Sequence, residues 1–124
     1  MEIFLVEDSP PVRARLAEML GSIPGATLVG EAESAEAAIR GILEARPDVV
    51  VLDLGLAGGT SGFEVLRAVC REAPAIDIYM LSNFAAFPYR QLAERLGARD
   101  FFDKTRDFER VRDLLAKRAA AVNA

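Results

Sequence analysis

Three carboxylates, a hydroxyl and an amine stand beside short apolar runs in this chain. Glu7 and Asp8 follow Ile3–Val6, Asp53 ends the run within Asp48–Leu54, Ser82 follows Ile76–Leu81, and Lys104 comes just after Arg99–Phe102. Carboxylates gathered in one place repel one another when ionised, so a proton or a cation has to sit among them. The sequence narrows the cation. It holds no histidine and a single cysteine, Cys70, which removes the usual zinc ligands. Oxygen donors remain, and these suit Mg²⁺, Mn²⁺ or Ca²⁺. Mg²⁺ is the natural candidate, because it takes one or two carboxylates and completes its shell with water and phosphate oxygens. A carboxylate beside Mg²⁺ can attack a phosphoryl group and form an acyl phosphate. The transferring oxygens then need stabilisers, which Mg²⁺, the Lys104 ammonium and the Ser82 hydroxyl would supply.

That chemistry requires elements that bring the runs together. Ile3–Val6 reads as a buried strand. Val12, Leu16, Met19 and Leu20 form one face of a helix, with Ser9 as N-cap, Pro10 and Pro11 in the first turn and Gly21 as the stop. Ala26–Val29 is a second strand, and Ser34–Ala45 a helix ended by Arg46-Pro47. Asp48–Leu54, with Val49-Val50-Val51-Leu52, is the most buried strand, and Gly55–Gly62 is a glycine-rich loop. Ser61-Gly62-Phe63-Glu64 is a capping box opening a helix to about Ala73. Ile76–Leu81 is the fourth strand. A helix from about Pro88 to Leu96 ends at Gly97. Arg99–Phe102 is the fifth strand and Phe108 to about Ala121 the last helix. Alternating strands and helices imply a doubly wound α/β fold whose parallel sheet is covered on both faces. Right-handed crossovers put all strand carboxyl ends on one edge, where such sheets bind ligands.

Composition agrees with a single domain. The chain has 124 residues, 52% of them hydrophobic and 27% charged, which is enough for one core and too little for two. A net charge of −4 without a basic cluster argues against direct nucleic-acid binding. The start has an acid, Glu2, where a secretory signal carries basic residues, and no apolar run approaches the roughly 18 residues of a membrane span. A cytoplasmic location is expected.

The chain resembles the response-regulator receiver domains of two-component signalling over essentially its full length. Five pieces carry the resemblance in order: Phe4-Leu5-Val6-Glu7-Asp8, Val50-Val51-Leu52-Asp53-Leu54, Gly62-Phe63-Glu64-Val65-Leu66, Met80-Leu81-Ser82 and Phe101-Phe102-Asp103-Lys104. It implies a flavodoxin-like sheet of order 2-1-3-4-5 flanked by five helices. It also implies that Asp53 is the phosphoacceptor. Asp8, Asp53 and the Gly55 backbone carbonyl would bind Mg²⁺ (or Mn²⁺), with Glu7 acting through a water. Ser82 and Lys104 would contact the phosphoryl oxygens, and Phe101 would be the aromatic switch residue. The partners implied are a sensor histidine kinase or phosphotransfer protein and a downstream protein target. The switching surface is that of helix four, strand five and helix five, through which a dimer can also form. Catalysis is limited to the domain's own phosphorylation and dephosphorylation.

Some positions depart from that pattern. Ala57 stands where the family usually has proline, and Gly58-Gly59-Thr60 lengthen the loop. Thr105 replaces the proline that normally follows the lysine, which is expected to shift Lys104. Asn83 is larger and more polar than the usual small residue, and altered dephosphorylation kinetics are expected.

Taken singly, each candidate also has an ordinary explanation. Asp8 and Ser9 could cap the first helix, Asp53 could be a turn residue, Ser82-Asn83 a strand-to-helix turn and Lys104 a solvated surface lysine. Phe101 and Phe102 point to opposite sheet faces, so at least one is core. Cys70 reads as a buried small apolar residue. Arg106, Arg110, Arg112, Lys117 and Arg118, interleaved with acids, read as a solvated helix face. A phosphorylation-independent interaction module on the same fold is the alternative function. A haloacid-dehalogenase-type hydrolase needs a second acid where Gly55 stands. A flavodoxin-type cofactor site is disfavoured by Glu7-Asp8 before two prolines. The chain stops where the last helix stops, and the sequence is compatible with a stand-alone protein or with part of a longer one.

Overall fold

A computed structural model describes residues 1–56, 58, 61–83 and 87–122. Strands and helices alternate: β1 (Glu2–Val6), α1 (Pro10–Gly21), β2 (Thr27–Ala32), α2 (Ala35–Ala45), β3 (Val49–Asp53), α3 (Gly62–Glu72), β4 (Asp77–Ser82), α4 (Phe87–Arg95), β5 (Asp100–Asp103) and α5 (Phe108–Val122). All strand pairs are parallel, in the order β2-β1-β3-β4-β5. Strand direction therefore places every strand's carboxyl end on one edge. The order reverses between β1 and β3, which opens a crevice at their carboxyl ends.

The unbroken apolar strands follow from burial on both faces. Phe4, Val6, Val50, Leu52, Ile78, Met80 and Phe101 face one cluster, with Ile42, Val65, Leu66, Val69 and Ala93 from α2, α3 and α4. The alternate residues Ile3, Leu5, Val49, Val51, Tyr79, Leu81 and Phe102 face the other, with Leu16 and Leu20 of α1 and Val111 and Leu115 of α5. Phe101 and Phe102 are thus both core, one in each layer.

Several local expectations are corrected. β2 runs to Ala32, beyond the expected Val29, because it is an edge strand whose Gly30 and Glu31 continue the pairing while half its residues face solvent. Ser9 sits at the N-cap of α1, yet its side chain makes no cap hydrogen bond. Pro10 and Pro11 carry no N–H, so of the two amides a cap side chain can serve only that of Val12 is left. Gly21 lies inside α1; the cap is Ser22, whose hydroxyl donates to the Met19 carbonyl at 2.7 Å. Ser61 caps α3 by accepting from the N–H of Phe63 at 3.1 Å rather than from Glu64. α4 starts at Phe87, and Gly97 ends its turn with φ of 107°. Cys70 is only half-buried. Arg118 is no solvated residue: it is half-buried, and its guanidinium pairs with Asp77 of β4. Arg110 lies over the Phe102 ring, 5.5 Å from its centroid.

Two glycines serve packing rather than flexibility. A Cβ on Gly30 would lie 2.5 Å from the Phe4 ring, and one on Gly41 of α2 would lie 2.8 Å from it. Alanine normally favours a helix interior over glycine by about 1 kcal/mol, but overpacking a core costs about 1–3 kcal/mol. Gly41→Ala should therefore lose about 1 kcal/mol of stability in urea unfolding. Combining it with Phe4→Leu should give less than the sum of the two losses. A Gly41→Ala protein more stable than the parent would contradict this packing.

Candidate functional site

The register delivers the acids to the crevice. Val6 of β1 is paired with Leu52 of β3, so the next residues, Glu7 and Asp53, arrive side by side. Asp53 is paired with Leu81 of β4, and Ser82 with Asp103 of β5. Glu7, Asp8, Asp53, Gly55, Ser82 and Lys104 line one open pocket of about 460 Å³. Its edges are Ser9, Val12, Leu56 and Asn83. Phe101 does not line it; its ring is buried beneath α4, with the Arg90 guanidinium 5.7 Å from the ring centroid.

Glu7 is wholly buried, and Asp53 and Ser82 nearly so. The Lys104 ammonium reaches both acids, 2.5 Å from Glu7 Oε1 and 3.0 Å from Asp53 Oδ2. Thr105 has therefore not displaced the lysine from the acids, and no peptide bond among the described residues is cis. Glu7 is held by its neighbours. Its Oε2 accepts from the Ser9 N–H at 3.1 Å, its own N–H donates to the Ala32 carbonyl, and its carbonyl accepts from Arg13 Nη1 at 3.0 Å. Arg13 also meets Glu31 and Glu33.

Charge in the pocket is unbalanced. Carboxylate oxygens of Glu7, Asp8 and Asp53 lie within 4.8 Å of one another, against one ammonium. Burial pushes the Asp8 carboxyl above its ordinary range, and the hydrogen bond and charge of Glu7 add to the rise. Burial pulls the Lys104 ammonium down, but hydrogen bonds and attraction from Glu7 and Asp53 outweigh it, so its pKa is raised and it stays charged. Glu7 Oε1 is buried with no aligned hydrogen bond beyond its ion pair. Clustered oxygens, an under-satisfied carboxylate and excess negative charge fit a small divalent cation.

The backbone around Asp53 is fixed by close approaches. Leu54 N–H donates to the Leu81 carbonyl, Gly62 N–H to the Leu54 carbonyl at 2.7 Å, and Gly55 bridges Ser61. A Cβ on Gly62 would stand 2.2 Å from the Asp53 carbonyl oxygen, so α3 can begin directly beneath the acid only with glycine there. Ala57, Gly59 and Thr60 lie outside the described residues.

Sequence reading missed four supports of this site. Arg13 drew no notice, because its contacts with the Glu7 carbonyl, Glu31 and Glu33 come only with the fold. Gly62 looked like part of a helix start. Asp103 stood in the last of the five family-like pieces without a role of its own and Asp107 drew no notice, although an aspartate in a turn commonly accepts from nearby backbone N–H groups. Asp107 is nearly buried, and Asp103 Oδ1 accepts from the N–H groups of Thr105 and Arg106, each at 2.8 Å.

With fold and pocket established, comparison with known proteins is unambiguous. The family model of the response regulator receiver domain matches residues 3–116, and the chain belongs to that family. It is 33% identical over 122 residues to a protein-glutamate methylesterase/protein-glutamine glutaminase of Syntrophus aciditrophicus, covering 93% of this chain and 35% of that one. It is 33% identical over 131 residues to the DNA-binding transcriptional activator DevR/DosR of Mycobacterium tuberculosis, covering 98% of this chain and 60% of that one. The chain thus spans only part of the length of these relatives. Among solved structures it resembles a LuxR-family two-component response regulator from Aurantimonas (TM-score 0.88, 29% identity, 97% of this chain and 85% of that one). It also resembles the response regulator domain of Thermotoga maritima CheB (TM-score 0.84, 25% identity, 98% and 94%). The five parallel strands in the order 2-1-3-4-5 are the receiver fold.

An acid whose pKa is raised on folding stabilises the folded state below its unfolded pKa and ceases to do so as pH rises through the folded value. For Asp8, metal-free protein should therefore melt at lower temperature as pH climbs through that range, and Asp8→Asn in chelator at neutral pH should melt above the parent. Mg²⁺ at 100 times its dissociation constant should stabilise the parent by about 2.7 kcal/mol and the variant by less. Calorimetry with and without Mg²⁺ checks both; identical response of the two proteins to Mg²⁺ would remove Asp8 from the ion's shell.

Proposed function

We propose that residues 1–124 act as one phosphoacceptor domain, with Asp53 receiving a phosphoryl group from the phosphohistidine of a sensor kinase or phosphotransfer protein. The observation that carries this reading is the Lys104 ammonium set between Glu7 and Asp53 in the acidic pocket. A carboxylate oxygen of Asp53 attacks phosphorus in line with the bond to the donor imidazole. The P–N bond breaks, its electron pair stays on the imidazole, and an acyl phosphate forms on Asp53. Asp8, Asp53 and the Gly55 carbonyl would hold Mg²⁺ (or Mn²⁺), with Glu7 behind them through a water. When bound, the ion offsets charge on the transferring oxygens. Lys104 contacts a phosphoryl oxygen, giving up part of its pairing with Asp53, and the Ser82 hydroxyl donates to another.

Phosphorylation adds roughly two negative charges to this pocket. The charge pulls on Ser82 and Lys104, which end β4 and follow β5. Lys104 N–H already donates to the Ser82 carbonyl at 3.0 Å, so the two move together. Phe101, at the start of the same strand, is the switch residue that relays the change to the face of α4, β5 and α5. Tyr89 and Leu92 of α4 are exposed large apolar residues, which suits a protein partner or a second receiver. The domain carries out no catalysis beyond its own phosphorylation and hydrolysis, acts in the cytoplasm and makes no direct nucleic-acid contact.

Incubation with a small acyl phosphate and Mg²⁺, followed by intact-mass measurement, should show one added phosphoryl group on the parent and none on Asp53→Asn. Lys104→Ala should be labelled about 100-fold more slowly. A parent protein that stays unlabelled would favour a phosphorylation-independent interaction module; equal labelling of Asp53→Asn would move the acceptor elsewhere.

A further inference from the structure

The segment from Asp103 to Asp107 leaves none of its backbone N–H groups unpaired. Asp103 N–H donates to Asp107 Oδ2 at 2.9 Å. Lys104 N–H donates to the Ser82 carbonyl at 3.0 Å. Thr105 and Arg106 N–H both donate to Asp103 Oδ1 at 2.8 Å, and Asp107 N–H donates to the Asp103 carbonyl at 2.9 Å. Three of the five bonds end on the two carboxylates, which therefore hold each other's backbone across the residue that carries the ammonium.

We propose that Asp103 and Asp107 are positioning residues for Lys104, forming a reciprocal carboxylate-to-backbone lock that aims its ammonium at Glu7 and Asp53. The lock depends on residue 105 having an N–H, which threonine supplies and proline cannot. Two amides on one carboxylate oxygen hold Asp103 below its ordinary pKa range, so it stays ionised and accepting. Arg110 Nη1, 3.3 Å from Asp107 Oδ1, steadies the second carboxylate from the first turn of α5. Lys104 has a flexible four-carbon stem. Fixing its backbone at Ser82 on one side and at this turn on the other confines the volume its ammonium can sample. The functional weight of the lock rests on Lys104 contacting the phosphoryl group, but its geometry does not.

The test therefore reads the lysine itself. In ¹⁵N-labelled protein at neutral pH, an ammonium confined between two carboxylates exchanges slowly and gives its own Nζ signal, unlike solvated lysines. The parent and Asp103→Asn, whose amide oxygen still accepts both N–H groups, should show that signal; Asp103→Ala should lose it while its backbone spectrum stays folded. Acyl-phosphate labelling at saturating Mg²⁺ should fall about tenfold in Asp103→Ala and recover in Asp103→Asn. If Asp103→Ala does not fold, Asp107→Ala, which frees the Asp103 N–H and the Arg110 guanidinium but leaves the Asp103 carboxylate in place, should lose the Nζ signal instead. Absence of the signal from the parent, or its survival in the alanine variant that folds, overturns the proposal. A parent that shows the signal but accepts no phosphoryl group overturns the phosphoacceptor reading and leaves the lock standing.

Discussion

A carboxylate taken wholly out of water loses several kcal/mol of hydration unless a counter-charge and hydrogen bonds replace it. Glu7 is in that position, and two more acids lie beside it. The Lys104 ammonium is the compensation provided by the chain, at 2.5 Å from Glu7 and 3.0 Å from Asp53. It is one positive charge against the three carboxylates of Glu7, Asp8 and Asp53. The pocket is thus left with excess negative charge and fitted to a divalent cation. The same excess of negative charge that is costly to bury makes the pocket receptive to a cation.

The rest of the fold can be understood as what holds these groups in register. Parallel pairing of β1 with β3 makes Glu7 and Asp53 neighbours although 46 residues separate them in the chain. Packing on both sheet faces keeps that register from slipping, because a shift of one residue would exchange the two cores. Gly62 lets α3 start against the Asp53 carbonyl, and the turn after β5 sets the backbone of Lys104. Each support uses a backbone contact rather than a side chain aimed at the pocket, which keeps the pocket open.

Sheet layers and pocket residues were largely legible in the sequence because their signals are local. Val49-Val50-Val51-Leu52 is apolar without interruption since both its faces are covered, and an acid directly after such a run stands out. Other features depend on distant partners. Gly30 and Gly41 look like ordinary weak points of a strand and a helix until the Phe4 ring is seen against both. The extent of β2 was hidden by its edge position, where pairing continues past the last apolar residue. Arg118 could not be told from its solvated neighbours, because only the approach of α5 to β4 brings Asp77 to it. Ser9 shows that a correct position need not carry the expected bond: the prolines that mark the helix start also remove one of the two N–H groups a cap side chain can serve.

The central claim is that Glu7, Asp8 and Asp53 converge on a site for one divalent ion. Crystals grown with Mn²⁺, an oxygen-seeking stand-in for Mg²⁺, would locate it directly by anomalous scattering. The account predicts a single strong peak bound by Asp8, Asp53 and the Gly55 carbonyl, with Glu7 behind it. A map with no peak among these residues at saturating Mn²⁺, or with Mn²⁺ bound elsewhere on the protein, would contradict it.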